Sequence, residues 1–430
     1  MASQSWFPIP KSSHFSLANI PFGIISTATN EVPRAGVAIG DHALDLAAFS
    51  AQNGFSSVSS IQKDLTVFAH HTLNPFAALG RPVHRQVRRF VQDLLRIDTP
   101  FPEILKNNKQ LQAECLIPLN EVKMHLPMQI GDYTDFFVGK NHAYNCGVMF
   151  RGPDNALQPN YTHLPVGYHG RASSIVVSGT PIHRPKGQIL ANPNAEPKVP
   201  TFSPSKRLDF ELELGAFVCR ENKMGEPIPI SEAGDSIFGL VLMNDWSARD
   251  IQMWESAPLG PFNAKNFGTS ISPWVVLMDA LEPFRTLSIQ NDTELLPYLR
   301  EEKNNVFDIR LEVDLAPESG PATTILHSNG KNLLFSFSQM LTHHSVGGCP
   351  MRVGDLLGSG TISGTEDGSQ GCLLERSKNG KDIIKLSGGL DRTFLEDGDT
   401  VTLRGVCGTE EDGLVGFGQC IGRVLPTMSS

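Results

Sequence analysis

The segment Leu208-Asp209-Phe210-Glu211-Leu212-Glu213-Leu214 alternates apolar and acidic residues at period two. That is the pattern of a strand, and it puts Glu211 and Glu213 on one face, because side chains two apart point the same way. On a half-exposed sheet such an acid face lies in water. Here the face continues past Gly215 into Phe217, so it runs into protein. Inward-facing carboxylates repel by roughly 4 kcal/mol at contact distance with an effective dielectric of about 20. A proton or a cation has to relieve that repulsion.

About thirty residues later the apolar run Phe238 to Met243 leads into Asn244-Asp245-Trp246-Ser247-Ala248-Arg249-Asp250-Ile251-Gln252. Asp245 sits where a strand gives way to a helix, and a helix would align Asp245, Arg249 and Gln252 on one face. Simple capping accounts for an acid at this place. An i,i+4 ion pair worth about 0.3–0.5 kcal/mol accounts for Arg249. Neither explains why all three share a face. Two inward acids, a third acid, a fixed cation and an amide read as a cation site beside a polarising pocket.

Other segments are individually weaker. Lys265 lies in Gly260-Pro261-Phe262-Asn263-Ala264-Lys265-Asn266-Phe267-Gly268-Thr269, where a lysine could simply snorkel to solvent. Gly131-Asp132-Tyr133-Thr134-Asp135-Phe136-Phe137 leads to Lys140-Asn141-His142, and a lone histidine is more often structural than catalytic. The glycine-rich runs Gly167 to Arg171 and Gly358 to Gly364 allow close backbone approach to a ligand, or are only tight turns.

The chain is long enough, at 430 residues, for two or three domains. Its 39 Gly and 30 Pro favour strands, turns and loops over long helices. A formal charge of −9 argues against a nucleic-acid binder. The stretch with Arg81, Arg85, Arg88 and Arg89 reads as the solvated face of a helix. No run of about 18 apolar residues predicts a membrane span, and no secretory signal is visible. Seven scattered cysteines without a Cys-x-x-Cys pair fit a reduced, cytoplasmic protein.

Residues 18 to 130 read as a small mixed unit, with two strands around a turn at Gly40-Asp41 and helical spacing at Ile61 to Ala69 and Val83 to Ile97. Beyond it, Ser174 to Val177, Phe238 to Met243, Ser272 to Leu277, Ile309 to Leu315 and Val401 to Leu403 predict strands. Ser247 to Glu255 and Ser336 to His343 predict helices. The class expected is α+β, mostly β. No nucleophile elbow, His-Glu-x-x-His or P-loop is present.

Taken together, Pro33 to Leu46, Gly131 to His142, Leu164 to Thr180, Leu242 to Gln252, Pro258 to Trp274, Leu341 to Gly364 and Val415 to Pro426 resemble the fumarylacetoacetate hydrolase family. The resemblance covers nearly the whole chain. It implies an N-terminal SH3-like barrel domain over residues 1–129 and a C-terminal mixed β-sandwich roll over 130–430, paired as a homodimer. It implies a divalent metal on Asp135, Glu211, Glu213 and Asp245, with a second cation near Asp245, the Lys265 carbonyl and Thr269. Four carboxylates suit Ca²⁺ or Mg²⁺ and suit Zn²⁺ poorly.

The implied reaction is hydrolysis of a carbon–carbon bond in a small diketo acid, giving fumarate and acetoacetate, the last step of tyrosine and phenylalanine breakdown. His142 matches the general base and Glu375 its partner. Arg249, Gln252 and Lys265 match groups that stabilise the leaving group. Arg151, Tyr168 and Thr361 match substrate contacts. Two positions depart: the family often has tyrosine where Phe137 and Ser256 stand, and each lost hydroxyl removes a bond worth about 0.5–1.5 kcal/mol. The alternatives are another acylpyruvate hydrolase, decarboxylase or hydratase of the same superfamily, or an inactive binding protein that kept the fold. The Asp135–His142 module and the long N-terminal part argue against the first. Retention of His142, Glu375 and every proposed ligand argues against the second.

Overall fold

The computed structural model describes residues 4–429. Its class is mixed α+β, mostly β. The N-terminal part is built on a five-stranded antiparallel sheet in the order Leu116–Pro118, His42–Asp45, Arg34–Ile39, Phe22–Thr27, Val122–His125. Ile39 pairs with His42, so Gly40-Asp41 is the two-residue loop of a hairpin. Gly40 supplies the left-handed φ of +61° that such a turn requires. Asp45 ends the second strand and caps the helix Leu46–Ala51 through Ala48 N–H, while taking Arg34 Nε at 2.5 Å.

The central sheet is mixed. Its path runs Gly167–Gly170, Tyr133–Phe136, Leu356–Gly358, Leu212–Val218, Ile237–Asp245, Thr269–Ile271, Ile175–Val177, with Val276–Leu277 on the side of Ile237–Asp245. Two of its pairings are parallel, Leu356 to Tyr133 and Thr269 to Ile175. A further five-stranded sheet orders Thr323–Asn329, Arg310–Ala316, Thr400–Cys407, Val415–Leu425 and Ile182–His183. Trp246, Phe210 and Phe417 are buried in one core cluster, together with Leu311 and Leu403 of that second sheet. Another cluster joins the N-terminal sheet to the central one, with Phe76 edge-on to Phe238 at 5.9 Å.

Several sequence expectations need correction. Leu208 to Leu214 is not one strand. Leu208–Asp209 pairs with Ser247–Ala248, Leu212–Val218 joins the central sheet, and Phe210-Glu211 lies between. The competing partner, Ser247–Ala248, is remote in sequence and has no local signature. Leu212–Val218 is buried at every position, as the inward reading of its acid face requires. Ile61 to Ala69 folds as two short 3₁₀ turns, Ser59–Ile61 and Leu65–Ala69. The helix expected at Ser247 begins at Arg249, and the one expected from Ser336 runs Phe337–Ser345 behind a Ser336–Gln339 capping box.

Of the arginines on the helix Arg81–Leu95, Arg89 is exposed as expected, but Arg81 and Arg88 are buried and Arg85 is only partly solvated. Arg81 is buried among Asp235 at 3.1 Å, Asp279 at 3.4 Å and Glu282 at 2.6 Å, and Arg85 reaches Asp279 at 2.7 Å. Arg88 donates to the carbonyl of Asn19 at 2.9 Å. Their acidic partners lie far along the chain, where a local charge pattern cannot show them.

On the same helix His84 is buried and donates Nε2–H toward the carbonyls of Phe76 and Ala77, each at 3.0 Å. Burial pushes its pKa down to about 4. The folded value lies below the unfolded one, so its contribution is present above the ordinary histidine pKa and is lost as pH falls through that range. Wild-type protein should lose about 2 kcal/mol from this group between about pH 7 and about pH 4.5. His84→Gln should flatten that slope in urea unfolding, and an identical slope in both proteins would contradict the assignment.

Candidate active site

Three strand ends converge on one buried acid cluster. Asp135 comes from Tyr133–Phe136, Glu213 from Leu212–Val218 and Asp245 from the end of Ile237–Asp245. Each offers a carboxylate oxygen within 4.8 Å of the others. Gly358, on the strand between the first two, makes the approach possible. A Cβ there would lie 2.6 Å from Asp135 Oδ1 and 3.2 Å from Glu213 Oε2. Glu213 Oε2 accepts from Gly360 N–H at 3.0 Å. Asp245 accepts from Thr269 Oγ1 at 3.1 Å and from Tyr168 OH at 3.3 Å.

Glu211 stands beside this trio and is held differently. Its Oε1 pairs with Arg249 Nη1 at 2.8 Å, and its Oε2 takes the Lys265 ammonium, which also binds Asp245 Oδ2. Burial opposes ionisation of Glu211, but Lys265 and Arg249 override it and hold its pKa well below the usual carboxylate range. Among the described residues Asp135 and Glu213 have no such ion pair, and Asp245 has only its share of Lys265. Burial and then the charge of Asp245 push Asp135 up to about 8. Burial and then Asp135 and Asp245 raise Glu213 well above the ordinary value.

The second centre is an imidazole–carboxylate pair. His142, on the helix Lys140–Arg151, places Nδ1 2.5 Å from Glu375 Oε2. Glu375 is fixed in turn by Asn145 Nδ2 at 2.8 Å and Ser363 Oγ at 2.8 Å. His142 Nε2 is left facing Glu211 Oε1 at 3.9 Å. Burial opposes a charge on the ring, yet Cys146, Glu375 and Cys372 raise its pKa well above the ordinary histidine value. Gly139 starts this helix against the Thr361 carbonyl, only 2.1 Å from where a Cβ would stand.

Both centres open on one cavity of about 640 Å³. It is lined by Asp135, Phe137, His142, Arg151, Tyr168, Glu211, Glu213, Arg249, Gln252, Ser256, Lys265 and Thr361. Asp245, Thr269 and Glu375 are buried outside that lining: Asp245 holds Lys265, Glu375 holds His142, and Thr269 holds Asp245. The expected helical alignment of Asp245 with Arg249 is corrected, because Asp245 ends a strand. Arg249 does meet Gln252 Oε1 at 3.2 Å, and its Nη2 is buried without a partner. Lys265 contributes its ammonium to the acids. The Phe137 ring stands edge-on to His142 at 5.5 Å, and Ser256 Oγ is buried without a partner.

Sequence reasoning missed Asp209, Asn145, Arg207 and Asn379. Asp209 accepts from Arg249 Nε at 2.9 Å and from the N–H groups of Leu373 and Leu374 at 2.8 and 2.9 Å. It therefore ties the arginine to the turn that carries Glu375. The same alternation that marked Glu211 and Glu213 contains it. Asn145 follows His142 at i+3 on one helix, a spacing that could have found it. Arg207 and Asn379 carry no sequence signal.

Two family models cover this architecture. One described as "Fumarylacetoacetase N-terminal" matches residues 18–127, and one described as "Fumarylacetoacetate (FAA) hydrolase C-terminal" matches residues 135–425. The chain belongs to the fumarylacetoacetate hydrolase family. Among relatives in this family, fumarylacetoacetase fahA of Aspergillus fumigatus is 65% identical over 427 residues, covering 99% of both chains. The fumarylacetoacetase of Emericella nidulans is 63% identical and covers 98% of both. The solved fumarylacetoacetate hydrolase of psychrophilic Exiguobacterium antarcticum superposes with a TM-score of 0.52 at 15% identity, over 95% of this chain and 99% of that one, and shares the fold.

The acid cluster makes its own prediction. Lys265→Met removes the buried counter-charge of Glu211 and Asp245, and breaking such a pair costs about 3 kcal/mol. Urea unfolding in chelator should show that loss, and added Mg²⁺ should reduce it. Unchanged stability in chelator would contradict the electrostatic account.

Proposed function

We propose that this cavity hydrolyses the carbon–carbon bond of fumarylacetoacetate to fumarate and acetoacetate, the closing step of tyrosine and phenylalanine breakdown. The observation that carries the reading is the union, in one pocket, of an anionic oxygen cluster and a His142–Glu375 pair. The full-length relatives named fumarylacetoacetase support the substrate.

The residues fit a divalent cation. Asp135 Oδ1 and Glu213 Oε1 are buried without hydrogen-bond partners, and an all-oxygen donor set of carboxylates suits Ca²⁺ or Mg²⁺. Asp135, Glu213 and Asp245 would hold it, with Glu211 beside them. When bound, the cation supplies Lewis-acid polarisation of the diketone oxygens and positive potential that favours the neutral imidazole. A second cation at Asp245, Thr269 and the Lys265 carbonyl is supported only by the Asp245–Thr269 contact.

The chain's own residues supply the proton chemistry. Neutral His142 takes a proton from water at Nε2, because Nδ1 is committed to Glu375. Glu375 orients the ring and stabilises the imidazolium as water attacks the fumaryl carbonyl carbon. The carbon–carbon bond breaks and its electron pair leaves on the acetoacetate fragment as an enolate. Arg249, through its free Nη2, and Gln252 and Lys265 stabilise that charge. His142 returns its proton to the carbanion carbon. Tyr168, Arg151 and Thr361 would position the substrate, and Phe137 and Ser256 would line its path.

The coarser architecture follows the same reading. The five-stranded N-terminal sheet supports an SH3-like unit over residues 1–129, ahead of a catalytic roll over 130–430. The family likeness supports a homodimer and a cytoplasmic site of action. No helix among the described residues is long and apolar enough to cross a membrane.

Loss of fumarylacetoacetate absorbance should be fast with Ca²⁺ or Mg²⁺ and slow after chelation, and chelation should also lower the melting temperature. Preference for a simpler acylpyruvate would overturn the substrate. His142→Ala should lower kcat by at least about a hundredfold while cation affinity stays within about threefold. Near-normal turnover in that variant would remove the general-base role.

A further inference from the structure

The two cations nearest the acid cluster are already paired within it. Arg249 is spent on Asp209 and Glu211, and Lys265 on Glu211 and Asp245. Two arginines of the lining are not spent. Among the described residues, Arg151 forms no ion pair and donates to the carbonyls of Asn155 and Ala156, at 3.0 and 2.6 Å. Arg207 is half-buried, and among the described residues it has no acidic partner.

Arg207 is nevertheless held in place. Its Nη1 donates to Asn379 Oδ1 at 2.8 Å, and its guanidinium carbon lies 5.8 Å from the centre of the Phe394 ring. Asn379, also in the lining, is itself fixed by its N–H to the Leu374 carbonyl at 2.8 Å, in a left-handed conformation with φ of +61°. That leaves Arg207 Nε and Nη2 free. A guanidinium with an unused fork, supported by an aromatic ring and facing a cavity, matches a carboxylate in a two-bond grip.

We propose that Arg207 binds one terminal carboxylate of the substrate while Arg151 takes the other, so that this pair selects doubly charged diketones over singly charged ones. The inference rests on the proposed reaction, whose substrate carries a carboxylate at each end. Arg207 then sets specificity without taking part in the bond-breaking step, and its removal weakens binding rather than turnover.

The test uses full-length protein loaded with Mg²⁺, comparing wild type, Arg207→Met and Arg207→Lys. For Arg207→Met, the KM for fumarylacetoacetate should rise about tenfold to a hundredfold, with kcat within about threefold. Arg207→Lys should recover part of that loss. Calorimetry then compares two β-diketone monoacids, one keeping only the acetoacetate-end carboxylate and one only the fumaryl-end carboxylate. Arg207→Met should weaken one of them about tenfold and leave the other within about twofold. Equal weakening of both, no weakening of either, or a loss confined to kcat would overturn the proposal. Selective loss of monoacid binding in a protein that fails to cleave fumarylacetoacetate would instead overturn the reaction and keep the carboxylate site.

Discussion

The repulsion among buried carboxylates governs this structure. Asp135, Glu213 and Asp245 lie within 4.8 Å of one another, and Glu211 shares Lys265 with the last. At such spacing full ionisation is unfavourable by several kcal/mol unless positive charge is close. The chain answers with two buried cations: Arg249 pairs with Glu211 and Asp209, and Lys265 is shared between Glu211 and Asp245. Burial first, and then mutual repulsion that this pairing does not fully offset, raises Asp135, Glu213 and Asp245 above the ordinary carboxylate range.

The fold can be read as the means of sustaining that arrangement. Asp135, Glu213 and Asp245 sit on central strands rather than on loops, so the sheet fixes their spacing. Gly358 leaves the room they need, and Gly360 turns its N–H onto Glu213. Asp209 extends the network, linking the arginine to the N-terminal turn that presents Glu375 to His142. The N-terminal part packs on the central sheet through Phe76 and Phe238 and is tied by Arg81 to Asp279 and Glu282. Among the described residues it lends no side chain to the cavity lining.

What the sequence made legible was set by local periodicity. The acids of Glu211-Leu212-Glu213 could be read as inward because the same face ends in Phe217, and the hairpin at Gly40-Asp41 announces itself by its turn chemistry. The break at Phe210-Glu211 could not be read, since it depends on pairing with Ser247–Ala248. Asp245 was placed on a helix face because its spacing to Arg249 fits one, but sheet pairing with Thr269 holds it in a strand. Arg81 looked solvated because its acids come from distant segments. Arg207 and Asn379 meet only through tertiary folding, and neither sits in a pattern that would single it out.

The buried acid cluster keeps part of its proton load until a cation replaces it. Calorimetric titration of chelated protein with Mg²⁺ or Ca²⁺ near about pH 7, in buffers of different ionisation enthalpy, measures that exchange directly. Release of about one proton per chain is expected on binding, since Asp135 is pushed up to about 8 and burial with the neighbouring carboxylates raises Glu213 as well. Cation binding with the same heat in every buffer, and hence no proton release, would contradict it.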